Sequence, residues 1–490
     1  MTDHQRSRTR TDSSVLIIGA GPGGIAVAER VADLGIDFVV VERAAGLGGT
    51  WYQNRYPGVG CDVPAHYYSY STDPNAAATT LFASGAELRA YFEDHARRTG
   101  VAEHVVHDTE VTDLDWEDGA WTVTSADGQR TRHRAVVGAT GRLNRAKVPD
   151  IAGLDRFAGV LAHSSDWDPS EDLAGKRVAV VGTGSSGAQI VSALAGTAST
   201  VTVFQRTASW VMPVPNEPIP EELRAAMLAS PERAREQYRA TEAFVRGIAE
   251  ASIDPDGPGA RARDAQIRAG LESVADPALR RALTPDYAIG CKRIVFSGTF
   301  LTAVQRPDVQ LVTSRITEVE PTGVRTADGA LHEADVLILA TGFHADNYLR
   351  PIRVRGADGI TLDELWADSF LSYKSVALPE MPNLFLVNGP YTPGGSTNVL
   401  AAIEEHAGYV VRLVEHALTE HVAVRPDTAR TRELLEAVRA EARRTVWATG
   451  GCDSWYLDAS GTPLVSPMTI DEVAADLREV AWGDLVVTPV

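Results

Sequence analysis

The chain has 490 residues but only three cysteines, Cys61, Cys291 and Cys452. They lie far apart and form neither a metal-ligand spacing nor a Cys-x-x-Cys pair, so no metal site and no redox pair is expected, and a reducing, cytoplasmic setting fits. Long hydrophobic runs are missing too. No uninterrupted apolar stretch reaches the roughly 20 residues a bilayer crossing takes, so no membrane partner is expected. The first dozen residues are polar and charged, without the apolar centre of a signal peptide, and read as a frayed terminus. Basic charge is short as well: 46 Lys and Arg stand against 65 Asp and Glu, a formal net charge of -19. That balance gives no positive field for nucleic acid, and an anionic cofactor must be held by backbone donors and a few placed cations.

Apolar residues make up 44% of the chain, enough to fill two or three cores at this length. The run Val15-Leu-Ile-Ile-Gly19-Ala-Gly21-Pro-Gly-Gly24 is an apolar strand breaking into glycines, and Ile25 to Leu34 follows with helical spacing. Strand, turn and helix in that order bring a pyrophosphate against a helix N-terminus, where free N–H groups and the helix dipole favour anions. The next strand, Phe38-Val-Val-Val-Glu42, ends in a carboxylate about where a ribose hydroxyl needs an acceptor. Lys176-Arg-Val-Ala-Val-Val-Gly182-Thr-Gly184-Ser-Ser-Gly187 repeats the pattern, but its closing strand ends in Gln205-Arg206. A carboxylate would repel a 2'-phosphate, whereas a guanidinium binds one. The first turn is therefore expected to hold FAD and the second NADPH.

Two further strands, Ala135-Val-Val-Gly-Ala139-Thr-Gly141 and Ala334-Asp-Val-Leu-Ile-Leu-Ala340-Thr-Gly342, end alike and read as the return strand of each unit. The fold class expected is α/β, with two Rossmann-like, doubly wound nucleotide-binding domains and a helical insertion. The expected boundaries are 1–145 and 344–490 for the FAD domain, 146–215 and 290–343 for the NADPH domain, and 216–289 for the insertion, broken by a Pro/Gly-rich stretch at 254–259. Glu87 to Thr99 reads as an amphipathic helix, and residues 110–116 and 120–124 as a hairpin turning at Glu117-Asp-Gly119. Loops rich in aromatics and glycine (48–62, 67–70, 391–397 and 452–456) are the candidate ligand walls. A helix from Val399 to Val411 is expected to point its N-terminus at a ligand.

Between the two turns runs Phe157-x-Gly159-x-x-x-His163-x-x-x-Trp167-Asp168. Flanked by two such units, this stretch resembles the signature of the class B flavoprotein monooxygenases, and its Trp-Asp ending is the form found in Baeyer–Villiger monooxygenases. Gly48-Gly-Thr-Trp-Tyr52, Asn54-Arg-Tyr-Pro-Gly58, Asp62, Tyr68-Ser-Tyr70, Gly290-Cys-Lys-Arg293 and Ser454-Trp-Tyr456 fall in the family's order. The stretch 58–66 looks closer to the 4-hydroxyacetophenone and phenylacetone branch than to the cyclohexanone branch.

The resemblance implies FAD contacts from Gly19, Gly21, Gly24, Glu42, Thr50, Trp51, Asp62, Tyr68, Val111 and Val399. It implies NADPH contacts from Thr183, Gly184, Ser185, Ser186, Gly187, Gln189, Arg206, Thr207 and Lys292. His163 belongs at the hinge between the domains, serving cofactor handling rather than proton transfer. Arg293 matches the family's catalytic arginine, with Asp62 as its partner. The implied reaction inserts one oxygen atom of O2 beside a ketone carbonyl through a C4a-peroxyflavin stabilised by Arg293, giving an ester or lactone. The alternatives are N- or S-oxygenation or hydroxylation on the same fold, and an NADPH-dependent flavin or disulfide reductase, for which the cysteines offer no pair by spacing. The implied partners are a small ketone and O2, with no obligate protein partner.

Overall fold

The computed structural model describes residues 12–253, 257–394 and 398–490. Residues 1–11, and parts of the stretches at 254–259 and 391–397, lie outside the described residues. In chain order the strands of the two central sheets are β1 (Val15–Ile18), β2 (Phe38–Val41), β3 (Val105–Val106), β4 (Ala135–Gly138), β5 (Val160–His163), β6 (Arg177–Val181), β7 (Thr200–Phe204), β8 (Val309–Val312), β9 (Val336–Leu339) and β10 (Leu384–Leu386). The first sheet has the order β10-β4-β1-β2-β3 and the second β8-β7-β6-β9-β5. Every pairing within them is parallel. Each glycine-bearing strand sits mid-sheet with its Ala-Thr-Gly strand beside it, Val15 opposite Ala135 in one sheet and Val178 opposite Val336 in the other.

Parallel sheets are covered on both faces, which is why these strands read as unbroken apolar runs. Val15, Leu16 and Ile17 are at most 1% exposed. Helix α1 (Pro22–Asp33) follows β1 and α2 (Ser185–Leu194) follows β6, and Pro22, in the first turn of α1, is preset for a helix start. Helix α3 (Val399–Thr419) packs along α1 and runs well past Val411, because Leu413, Val414 and Ala417 continue its buried stripe.

The hairpin at 110–125 forms as expected within a four-stranded sheet. A C-terminal strand, Leu485–Pro489, pairs antiparallel with Val422–Pro426 without having announced itself in the sequence pattern. Four helices between Glu221 and Ala282 occupy the expected insertion. It packs on the rest of the chain: Ile267 joins Trp210, Tyr287, Trp447 and Tyr456 in one buried cluster, and Tyr238 meets Tyr67 edge-on at 5.3 Å. Among the described residues no helix is long and apolar enough to cross a membrane.

Candidate active site

The two glycine turns match down to single contacts. Gly19 and Gly182 adopt φ of +105° and +111°. A Cβ on Gly24 would lie 1.8 Å from the Gly19 carbonyl oxygen, and one on Gly187 would lie 2.1 Å from that of Gly182. Any side chain there would push the helix off its strand. No side chain caps α1 or α2, so their leading N–H groups remain available to an anion.

Past each turn the two units diverge. Glu42 accepts the Ala20 N–H at 2.8 Å on one carboxylate oxygen and the Ala44 N–H at 2.7 Å on the other, which fixes it beside the first turn. Gln205 is buried and donates to the Ala282 carbonyl at 2.7 Å, facing the insertion instead of a ribose. Arg206 beside it is exposed, and Lys292 arrives from a distant segment with its ammonium 5.0 Å above the Tyr287 ring. Burial holds the Lys292 ammonium below its ordinary range, opposed by Asp453 and reinforced by Arg206. Two cations from separate segments therefore meet at the end of β7, an arrangement suited to a phosphate.

A cavity of about 690 Å³ runs from the first turn to α2. Gly19, Gly21, Glu42, Thr50, Trp51, Asp62, Tyr68 and Val399 line it from the first unit, Ser185 and Gln189 from the second, and Arg293 from the loop after the insertion. Trp51 is buried at this wall with an indole N–H that has no partner among the described residues, and it meets Tyr68 edge-on at 5.6 Å. Gln189 holds the halves together, accepting the Tyr56 hydroxyl at 2.8 Å and donating to the Gly60 carbonyl at 2.9 Å. The uncapped turns, the Glu42 acceptor and the unpartnered Trp51 donor fit two dinucleotides.

Arg293 donates from Nη2 to Asp62 Oδ1 at 2.5 Å. The Asp62 charge, and after it burial acting the other way, leave the guanidinium above its ordinary range. Its loop is knitted on both sides: the Tyr287 hydroxyl donates to Ala208, Ala288 takes the Gly450 carbonyl, and Val295 pairs with Val211. A fixed cation is thus held in a cavity shared by both nucleotide turns.

Other expected site residues lie apart from the cavity wall. Val111 is buried in the antiparallel sheet's core with Leu114 and Val41. His163 ends β5 with both nitrogens engaged: Nδ1 accepts the Ser165 backbone N–H at 3.1 Å, so Nε2 carries the proton and donates to Gly342 at 3.1 Å. Burial keeps this imidazole below its ordinary range. It ties the central motif to the second Ala-Thr-Gly turn and has no proton to offer a ligand. Trp167 from the same motif reaches the cavity, whereas Asp168 accepts from Ser170 in a local turn. Tyr67 packs on the insertion and Tyr70 donates to the Pro22 carbonyl, leaving Tyr68 as the ring at the wall.

The cysteines correct the expectation from spacing. Cys291 and Cys452, separated by 161 positions, form a disulfide with their Cα atoms 6.1 Å apart. Spacing along the chain carried no trace of a pair that only chain closure creates. The bridge joins the Arg293 loop to the Trp455 loop, but neither cysteine lines the cavity, so it offers no route for electrons from a flavin there. Arg142, Asn388 and Arg43 also reach the cavity wall although no motif flags them. For Arg142 the available signal was its place directly after the first Ala-Thr-Gly turn.

Fold and site together define a two-nucleotide oxidoreductase with a fixed cation where the nucleotide sites meet, the class of the flavin monooxygenases. The pyridine nucleotide-disulphide oxidoreductase family model matches residues 13–230, a segment that ends before Cys291 and Cys452 and carries the nucleotide-binding turns. The chain is 39% identical to a Baeyer–Villiger monooxygenase of Streptomyces coelicolor, over 98% of this chain and 93% of the relative. It is 41% identical to an uncharacterized monooxygenase of Mycobacterium tuberculosis, over 87% and 86% of the two chains. Among solved structures it resembles cyclohexanone monooxygenase from Rhodococcus sp. Phi1 bound to NADP+, with a TM-score of 0.88 and 29% identity over 98% of this chain and all of that one. A complex of OTEMO with FAD and NADP gives a TM-score of 0.88 at 27% identity, over 98% of this chain and 100% of that chain. The chain belongs to the Baeyer–Villiger monooxygenase family of flavin-dependent enzymes.

Proposed function

We propose that this protein uses FAD and NADPH to insert one oxygen atom of O2 next to a ketone carbonyl, releasing an ester or lactone, with Arg293 as the catalytic cation. The observation that carries this reading is Arg293 paired with Asp62 in the cavity that both nucleotide turns share. The turn at Gly19, Gly21 and Gly24 would hold the FAD pyrophosphate, Glu42 its ribose, and Thr50, Trp51, Tyr68 and Val399 the remainder. Thr183 to Gln189 would hold NADPH, with Arg206, Thr207 and Lys292 on its 2'-phosphate side. The bound flavin, reduced by the nicotinamide, supplies the activation of dioxygen.

Everything else falls to the chain's own residues. An arginine does not surrender its proton near neutral pH, so Arg293 balances negative charge developing on oxygen without quenching it. The same guanidinium polarises a ketone carbonyl lying against it and stabilises the alkoxide that forms when the carbonyl is attacked. Asp62, engaging Nη2, sets the direction of the guanidinium. Trp51, Tyr68 and Trp455 form the apolar part of the wall and exclude the water that would protonate the oxygen anion.

The test is NADPH consumption and O2 uptake by the flavin-loaded protein across a panel of ketones and one thioether, with product masses read by mass spectrometry. Ketone-dependent uptake giving products one oxygen heavier, with esters as the regiochemical outcome, is expected. Oxygenation of the thioether with every ketone untouched would overturn the proposal, as would NADPH oxidation unaffected by any substrate.

A further inference from the structure

The cavity has a second guanidinium, more deeply buried than that of Arg293, and among the described residues it has no carboxylate partner. Arg142 is 9% exposed and lines the same cavity as Arg293. Its Nε donates to the Ala345 carbonyl at 3.3 Å, while Nη2 is buried without a hydrogen-bond partner. Its guanidinium stands 5.0 Å from the Trp455 ring and 5.6 Å from the Tyr348 ring. Those faces steady the side chain and leave Nη2 unspent.

The neighbouring guanidiniums are neutralised, which makes the contrast informative. Arg293 has Asp62 at 2.5 Å and Arg439 has Asp458 at 3.6 Å. Among the described residues no carboxylate pairs with Arg142, and the nearby Asp346 is exposed to solvent. Behind the cavity wall, the hydroxyls of Tyr348, Tyr391 and Tyr456 are also buried with no hydrogen-bond partner at ordinary distance among the described residues. Burial pushes the Tyr456 hydroxyl up, and the charges of Arg293 and then Arg142 pull it back. A buried unpaired charge beside unpaired donors is costly, and an anion accepting from them removes that cost. The planar guanidinium matches a carboxylate, as it does a phosphate.

We propose that Arg142 is an anion-binding subsite of the substrate cavity and that this enzyme's preferred ketones carry a carboxylate remote from the carbonyl. The inference rests on the reading above, in which Arg293 faces the carbonyl: one guanidinium then takes the reacting end of the substrate and the other its charged end. Both guanidiniums line one cavity, so the separation of ketone and carboxylate in the substrate sets which chain length is accepted.

The probes are methyl-ketone carboxylates of increasing chain length, from levulinate upward, and their methyl esters, given to the FAD-loaded enzyme with saturating NADPH. Wild type is expected to favour one acid over its methyl ester by about 10- to 100-fold in kcat/KM, the range a hydrogen-bonded charge contributes. Arg142→Gln raises KM for that acid by a similar factor, leaves kcat and the ester's constants within about twofold, and leaves KM for NADPH unchanged; Arg142→Lys restores part of the loss. The wild-type preference tests the proposal even where a variant fails to fold. Equal turnover of acids and esters by wild type overturns it. A rise in KM for NADPH with both substrates in Arg142→Gln overturns it in another way, by giving Arg142 to a cofactor phosphate. Absence of oxygenated product from acids and esters alike defeats the proposed function itself, and the subsite with it.

Discussion

Arg293 Nη2 reaches Asp62 Oδ1 across 2.5 Å of space and 231 positions of sequence. The contact joins the loop after the first nucleotide turn to the loop after the helical insertion, and it leaves the guanidinium at the cavity wall. Replacing Arg293 with Ala is expected to leave FAD content and NADPH oxidation in place while ester formation falls about 10²- to 10³-fold, the usual loss for one charge-stabilising donor. Hydrogen peroxide should rise in its place. Asp62→Asn, which keeps an acceptor but removes the charge, should lose less. Stopped-flow reduction together with product analysis separates the two steps, and normal ester yield from Arg293→Ala would remove this residue from the chemistry.

The second relationship concerns coenzyme choice. Arg206 and Lys292 converge where the second unit lacks the acid that Glu42 supplies in the first. Arg206→Ala should raise KM for NADPH by about 10- to 100-fold and leave KM for NADH within about twofold, because only NADPH carries the phosphate. Steady-state kinetics with both coenzymes reads the ratio. Parallel losses with the two would mean that Arg206 supports the fold and not the phosphate.

Cys291 and Cys452 close a loop of 161 positions that begins just after the insertion and takes in the second segment of the second nucleotide unit and much of the chain's C-terminal part. On the chain-entropy account such a cross-link is worth at most about 5 kcal/mol. Cys452→Ser should lower the calorimetric midpoint, Cys291→Ser should lower it equally, and the double variant should lose no more than either single. Flavin content should survive, since neither cysteine lines the cavity. Thiol titration of the denatured, unreduced protein checks the premise: one reactive thiol, from Cys61, is expected, and three would show that the bridge does not form.

His406 gives the protein an acid limit. It is buried on α3, its Nδ1 accepts the Asn388 backbone N–H at 3.1 Å, and burial pushes it down to about 4. An unfolded histidine protonates near pH 6.5, so between about pH 6.5 and 4 the unfolded chain binds a proton that the native state refuses. Native stability is therefore whole above this window and falls as pH drops through it, by about 3 kcal/mol from this group. Urea unfolding at pH 7 and at about pH 5 should show a smaller difference in His406→Asn than in wild type. An unchanged difference would assign the acid sensitivity to other groups.

Much of the architecture was legible before folding was considered. A nucleotide turn is a local device: strand, glycines and helix start are neighbours in sequence, and their spacing is what brings backbone N–H groups to a phosphate. The exchange of Glu42 for Gln205-Arg206 was readable for the same reason. The strand Leu485–Pro489 was not, because its pairing with Val422–Pro426 rewards an alternation too short to stand out. The motif marks the place of His163, whereas its contacts, Nδ1 with the Ser165 N–H and Nε2 with the Gly342 carbonyl, come only from the folded chain.

What the sequence by itself determined is therefore the duplicated pair of nucleotide units, the difference between them and the signature that joins them, since each is written in residues only a few positions apart. What the tertiary structure alone decided is which charges and thiols meet. Arg293 finds Asp62, Cys291 finds Cys452, and among the described residues Arg142 has no carboxylate partner. These are arginines and cysteines like others in the chain; Asp62 and Cys452 come from segments far away along it, and only closure of the two sheets around one cavity settles which charge is paired and which is bare.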